Sequence, residues 1–235
     1  MSLRLIPANE YRRERWRNGL GWTREIARGE IEAPHKDVRV LAEGSAPATG
    51  DPHKEVRAIA DGPASATNWD WRLSIAEIDT DCRFSAFPGC DRVLVLLAGN
   101  GMHLEFDDST YANLQPPHGR VAFAGERGVQ CRLLDGPTAD FNAIVRRDRC
   151  TMQVYHRPLV GSMVFFAEAG VLWAINLVAG RATVKSAGVS VSLNAGDTVL
   201  LGDTSFQETG TDEAASRSIL DGGGDVLLVR IQRVA

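Results

Sequence analysis

At 235 residues the chain has room for one large domain or two small ones, and 44% apolar residues supply a sizeable core. A formal net charge of -4 excludes a global attraction to nucleic acid or to an anionic membrane surface. No apolar run approaches the roughly 18 residues that a bilayer span requires, so no membrane helix is expected.

The opening Met1-Ser2-Leu3-Arg4-Leu5-Ile6-Pro7 lacks the apolar region and cleavage site of a signal peptide, which predicts a cytoplasmic protein. Cys82, Cys90, Cys131 and Cys150 show no C-x-x-C spacing and read as reduced thiols, with Cys82 and Cys90 close enough in sequence to leave a disulfide open. Arg12, Arg13, Arg15 and Arg17 form a basic patch, but Glu10 and Glu14 interrupt it and no interleaved aromatics accompany it. It reads as a solvated face. Asn18-Gly19-Leu20-Gly21 is a turn that delivers Thr23 and Glu25 to a barrel mouth. In Trp22-Thr23-Arg24-Glu25-Ile26, period-two alternation puts Arg24 on the face of Trp22 and Ile26, where a charge needs a partner.

Residues 29–68 contain a direct duplication: Pro34-His35-Lys36-Asp37-Val38-Arg39 returns as Pro52-His53-Lys54-Glu55-Val56-Arg57. Two copies are too few for a solenoid, which needs roughly three or more. The composition (Ala, Gly, Pro and charge) predicts an expanded surface insertion. The two histidines in it owe their spacing to the duplication and carry little weight as a metal site.

Beyond it, short β-type segments dominate. Trp71 to Ala76 alternates like a half-buried strand, and Val93 to Leu97 leads through Gly99-Asn100-Gly101 into Met102 to Phe106 as a hairpin. Val121 to Ala124, Val129 to Leu134 and Phe141 to Val145 continue the series. It resumes after Cys150 with Val154 to His156, Ser162 to Ala167, Leu172 to Val178, Ala182 to Ser186, Val189 to Leu193, Thr198 to Leu201 and Val226 to Ile231. Turn residues punctuate these at about the 8–12-residue spacing of sandwiches and barrels, and helices should be few and short. The expected class is all-β, with a first unit over 1–150 and a second over 151–235.

Several blocks resemble the HutD/Ves family. They are Trp16-Arg17-Asn18-Gly19 with Gly21 and Thr23-Arg24-Glu25-Ile26; Trp71-Arg72-Leu73-Ser74 with Ala76; Phe84-Ser85, Phe87-Pro88-Gly89 and Asp91-Arg92 running into Leu97-x-Gly99-x-Gly101; and Asp140-Phe141-Asn142 with Ile144 and Arg146. The second half is similar only in strand pattern and in Ala195-Gly196-Asp197. The resemblance implies a bicupin of two antiparallel barrels or jelly rolls and an association with histidine utilisation, in which an intermediate such as urocanate or formylglutamate is sensed. It implies no established enzymatic activity. The long duplicated insertion departs from the family pattern.

A cupin metal site wants two histidines one residue apart and a third on a later strand. Met102-His103-Leu104-Glu105 has one, His118 sits in a Pro-Pro-His-Gly turn, and His156 lies near the junction, so neither metal nor other cofactor is expected. The arginines are more informative. Arg72 shares a face with Ser74 and Ala76, which leave room in front of it; Arg92 shares one with Leu94 and Leu96; Asn142 and Arg146 flank Ile144. Guanidinium forks lining a cavity suit a small carboxylate ligand, whereas pairing of Arg24 or Arg92 with Glu25, Asp91 or Asp140 would make them structural. Phe87 could stack on a flat ligand. The expected ligand-binding set is therefore Asn18, Thr23, Arg24, Glu25, Arg72, Phe87, Asp91, Arg92, Asn142 and Arg146, with no catalytic residue assigned. Two alternatives stay open: a metal-independent isomerase or lyase using Glu25 or Asp91 as base, and a protein-interaction module. Pairing of two subunits through exposed sheet faces, as a homodimer, is compatible with every one of these readings.

Overall fold

The computed structural model describes residues 2–16, 18–30, 68–202 and 217–234. The duplicated segment therefore lies, apart from its edges, outside the described residues, as does Arg17. In chain order the first strands are β1 (Leu3–Ile6), β2 (Arg12–Arg15), β3 (Gly21–Gly29), β4 (Trp71–Ile78), β5 (Cys82–Arg83) and β6 (Cys90–Ala98). There follow β7 (Met102–Phe106), β8 (Tyr111–Leu114), β9 (Arg120–Ala124), β10 (Val129–Leu133) and β11 (Thr138–Arg146). The second half holds β12 (Cys150–Phe166), β13 (Val171–Ser186), β14 (Val189–Asn194), β15 (Thr198–Leu201) and β16 (Arg217–Arg233). A 3-10 turn at Ala8–Glu10 is the sole helical element among the described residues.

The strands make three antiparallel sheets, so the all-β, bicupin-like class holds. A central sheet runs β2-β3-β4-β11-β6-β9, a small one β5-β10-β7-β8, and a third β1-β15-β13-β16-β12 with β14 added on β13. None closes into a fully hydrogen-bonded barrel; the small and central sheets face each other over a shared core, in jelly-roll fashion. Ile78, Leu94, Leu96 and Phe123 of the central sheet meet Met102, Leu104, Leu114 and Val129 of the small one. The opposite face of the central sheet, with Trp71, Leu73, Ile75, Phe141 and Ala143, packs on Leu172, Ala174, Leu227 and Val229 of the third sheet. The central sheet is thus buried on both faces, where alternation in β4 had suggested one. Small and polar residues on one face of β4, Arg72, Ser74 and Ala76, face a cavity, and this mimics a solvent-facing pattern.

Two pairs of segments expected as separate strands are continuous. Leu172 to Val178 and Ala182 to Ser186 form the single β13, because the chain passes through a bulge between Leu177 and Ala179 and then Gly180 (φ +92°), paired with Gly224, instead of turning. Val154 to His156 and Ser162 to Ala167 merge, short of Ala167, into β12, which tolerates Pro158 because it lies at a sheet edge. The long strands enclose a core of their own, with Ile175, Leu177, Val184, Val199 and Leu220. The chain start also joins this half. Leu3–Ile6 pairs with Thr198–Leu201, Asp197 Oδ1 accepts the Ala8 N–H at 2.9 Å, and the Tyr11 hydroxyl lies 2.7 Å from Thr198 Oγ1. All four cysteines are free and buried, and Cys82 faces Cys131 across β5 and β10 instead of approaching Cys90. No helix among the described residues is long and apolar enough to cross a membrane.

A Cβ built on Gly180 would stand 1.9 Å from the carbonyl oxygen of Gly223. Gly180→Ala is therefore expected to lower stability by more than about 1 kcal/mol, read as a shift of the urea midpoint. An unshifted midpoint would show that the crossing of β13 and β16 is looser than described.

Candidate functional site

A cavity of about 750 Å³ opens on the central sheet, on its face toward the small sheet. The sheet face that carries it is a grid set by strand register. Arg72, Ile144 and Arg92 lie in one row across β4, β11 and β6; Ser74, Asn142 and Leu94 form the next; Ala76, Asp140 and Leu96 the third. Space exists because Ser74 and Ala76 carry short side chains beside the longer groups of β11. Thr23 on β3 extends the floor, and Asn18 and Trp16 stand at the rim, Trp16 Nε1 donating to Thr23 Oγ1 at 2.8 Å. Phe84 and Phe87, on the connection from β5 to β6, form part of the wall.

Arg92 dominates the floor. Its side chain is buried, with the guanidinium carbon 5.0, 5.7 and 5.5 Å from the ring centres of Phe84, Phe87 and Phe123. Burial pushes its pKa down to about 10, which leaves it charged at neutral pH. No carboxylate pairs with it among the described ion pairs. Instead Nε and Nη2 both donate to Asn142 Oδ1, at 2.9 and 2.5 Å. Asn142 Nδ2 in turn donates to Asp140 Oδ1. Asp140 is fully buried, and its Oδ2 has no hydrogen-bond partner among the described residues. Desolvation raises its pKa to about 7 against the opposing pull of Arg92 and Asn142. The arrangement is a cation whose nearest strong acceptor is a neutral amide, in a chamber with polar and aromatic walls. Such a chamber can hold a small anion and stack a flat group.

Six of the ten residues expected at the site line this cavity: Asn18, Thr23, Arg72, Phe87, Arg92 and Asn142. Glu25, on the same sheet face but outside the lining, accepts from Arg72 Nε at 2.7 Å. Three lie elsewhere. Arg24 does share the face of Ile26, but that is the face turned away from the cavity, and it pairs with Glu77 at 2.9 Å. Asp91 sits at the surface with Arg147, 3.0 Å away. Arg146, at the end of β11, is held by Asp148 at 2.7 Å and Asp70 at 3.5 Å. The two bases of the enzyme alternative are thereby separated, Glu25 tied to an arginine and Asp91 outside the cavity.

Sequence reasoning treated Asp140 only as a partner for an arginine and missed Arg83, Phe84 and Ile144 as lining residues. For Asp140 the signal was present: it alternates with Asn142 along one strand face. No group of three or more potential metal ligands occurs among the described residues. The rings of His118 and His156 lie against each other, tilted by 35° with centres 4.1 Å apart, and neither lines the cavity.

The HutD family model matches residues 53–218. The chain belongs to the HutD family. Similar curated relatives include an uncharacterised 21.2 kDa protein from the hutC 3' region of Pseudomonas putida, 33% identical over 63% of this chain and 60% of its own length. Protein Ves of Escherichia fergusonii is 40% identical over 65% of this chain and 60% of its own. The matches thus span about 60% of these relatives. Among solved structures, a conserved protein of unknown function from Pseudomonas aeruginosa aligns over the full length of both chains with a TM-score of 0.70 and 25% identity. HutD from Pseudomonas fluorescens, crystallised in a formate condition, aligns equally fully at 0.68 and 24% identity, a likeness of fold.

Two variants probe the HutD-family network described above. Asn142→Leu removes the acceptor of a buried guanidinium and should cost roughly 2–3 kcal/mol in chemical denaturation; a loss under about 0.5 kcal/mol would mean that water serves Arg92 equally well. Asp140 has a folded-state pKa above its unfolded value, so the folded protein holds more protons and stability falls as pH rises through about 7. Asp140→Asn removes that dependence. Its melting temperature should gain on that of the native protein by several degrees between pH 5 and pH 8, and parallel curves would contradict the buried, proton-hungry carboxyl.

Proposed function

We propose that this HutD-family protein is a non-enzymatic binding protein for a small carboxylate metabolite, and that it moderates histidine utilisation by sensing urocanate or formylglutamate. The observation that carries the reading is Arg92, a buried cation held by the neutral Asn142 and facing open volume. A carboxylate of the ligand would supply the charge that the protein withholds, in the planar geometry a guanidinium favours. Arg72 is a poorer anchor, since Glu25 already compensates it. A volume of about 750 Å³ falls within the roughly 300–1,000 Å³ of small-molecule sites. Phe84 and Phe87 offer faces on which a conjugated ring could lie. The link to histidine utilisation draws support from the relative in the hutC 3' region and from the HutD structure.

Calorimetric titration with urocanate, formylglutamate and formate tests this. At least one should bind, and Arg92→Met, checked for folding by circular dichroism, should weaken it by about a hundredfold, as loss of a charge-assisted bidentate contact implies. No detectable heat from any of the three at millimolar concentration would end the proposal.

A further inference from the structure

We infer that the anionic ligand enters this cavity together with one proton, which Asp140 holds and shares with a ligand oxygen. The inference rests on the carboxylate reading above and adds to it a chemical requirement: the ligand must present a hydrogen-bond acceptor, not a donor, to Asp140.

The geometry leaves Asp140 half satisfied. Oδ1 accepts from Asn142 Nδ2, while Oδ2 is buried without a partner among the described residues. The neighbours on every side offer Oδ2 little. Across the sheet stand Leu96 of β6 and Ala76 of β4, both apolar. Arg92 of β6 acts on Asp140 through space, but both of its hydrogen bonds are spent on Asn142. Arg72 of β4 is paired with Glu25 of β3. From the small sheet, Cys82 of β5 and Cys131 of β10 face the carboxyl, and Cys131 is held un-ionised by Cys82 and by burial. Glu14 and Arg15 of β2 and Arg83 of β5 are the other charged groups of the lining among the described residues. As a carboxylate, Asp140 keeps an unsatisfied buried oxygen; as an acid, it has one O–H and needs an acceptor for it.

A ligand carboxylate on Arg92 resolves this in one direction. It places a second negative charge beside Asp140 and takes up the cationic field that had favoured ionisation. Both effects raise the proton affinity of Asp140. The acid then donates through Oδ2 to a ligand oxygen, so that two carboxyl groups share one proton, as like charges a few ångströms apart require. Since the free protein already sits near half-protonation at about pH 7, the extra proton is drawn mainly above that pH. A ligand presenting an N–H to Oδ2 would do the opposite and stabilise the ionised form.

The test titrates the full-length protein with urocanate and with formylglutamate at pH 8, in two buffers of different ionisation enthalpy. Uptake of about one proton per ligand is expected, with Kd rising about tenfold per pH unit from pH 7.5 upward. Uptake should vanish in Asp140→Asn and persist in His118→Gln and His156→Gln. If Asp140→Asn binds nothing, infrared difference spectra of the native protein decide. A protonated-carboxyl C=O band must grow when ligand is added at pH 8. Binding without proton uptake, release of a proton, uptake that survives Asp140→Asn, uptake lost in a histidine variant, or no growth of that band each overturn the inference while leaving carboxylate binding intact. An absence of binding by the native protein removes both.

Discussion

The structure depends on one constraint: a fully charged guanidinium is kept inside the protein by a neutral amide. Desolvating Arg92 weakens its hold on the proton without releasing it at neutral pH. The cost of burial is met by two hydrogen bonds to Asn142 Oδ1 and by the faces of three phenylalanines. Asn142 is fixed in turn, because its amide nitrogen is committed to Asp140. An aspartate in the place of Asn142 would close the ion pair and leave nothing for a guest. The amide provides geometry without neutralisation, and that distinguishes this floor from the salt-bridged arginines around it.

Precision comes from the central sheet. Because both of its faces are buried, the alternation of β4, β6 and β11 divides structure from chemistry residue by residue. Trp71, Leu73, Ile75, Phe141, Ala143 and Val145 pack against the third sheet. Arg72, Ser74, Arg92, Asp140 and Asn142, their neighbours in sequence, line the cavity. A one-residue slip of register would exchange the two sets, placing charges in the core and tryptophan and phenylalanine in the chamber. A bulge between Ala139 and Asp140 sits where the pairing with β6 shifts, at the residue whose carboxyl is left half satisfied.

Much of this could be read from the sequence, and the failures have particular causes. Period-two alternation grouped Arg72 with Ser74 and Ala76, and Asn142 with Ile144, and both groupings survive in the cavity; Arg92 shares its face with Leu94 as expected, but Leu94 packs into the core beside the cavity. The same rule placed Arg24 with Ile26 correctly but could not say which face of the sheet held the cavity; that is decided by the partner sheets, most of whose strands come from distant parts of the chain. Arg146 shares the cavity face by alternation yet lies past its edge, among acids brought in by Asp70 and Asp148. Asp91 went astray for the opposite reason, since its neighbour Arg92 points inward and it must point out. The strands β1, β2, β5 and β8 escaped notice because they are two to four residues long and owe their form to distant partners.

The most direct measurement is a crystal structure of the protein grown with urocanate or formylglutamate. A ligand carboxylate within hydrogen-bonding distance of the Arg92 guanidinium, with Asn142 still holding its Nε edge, is the result expected. Arg92 turned onto an acidic side chain of the protein, with the ligand bound elsewhere or absent, would contradict it.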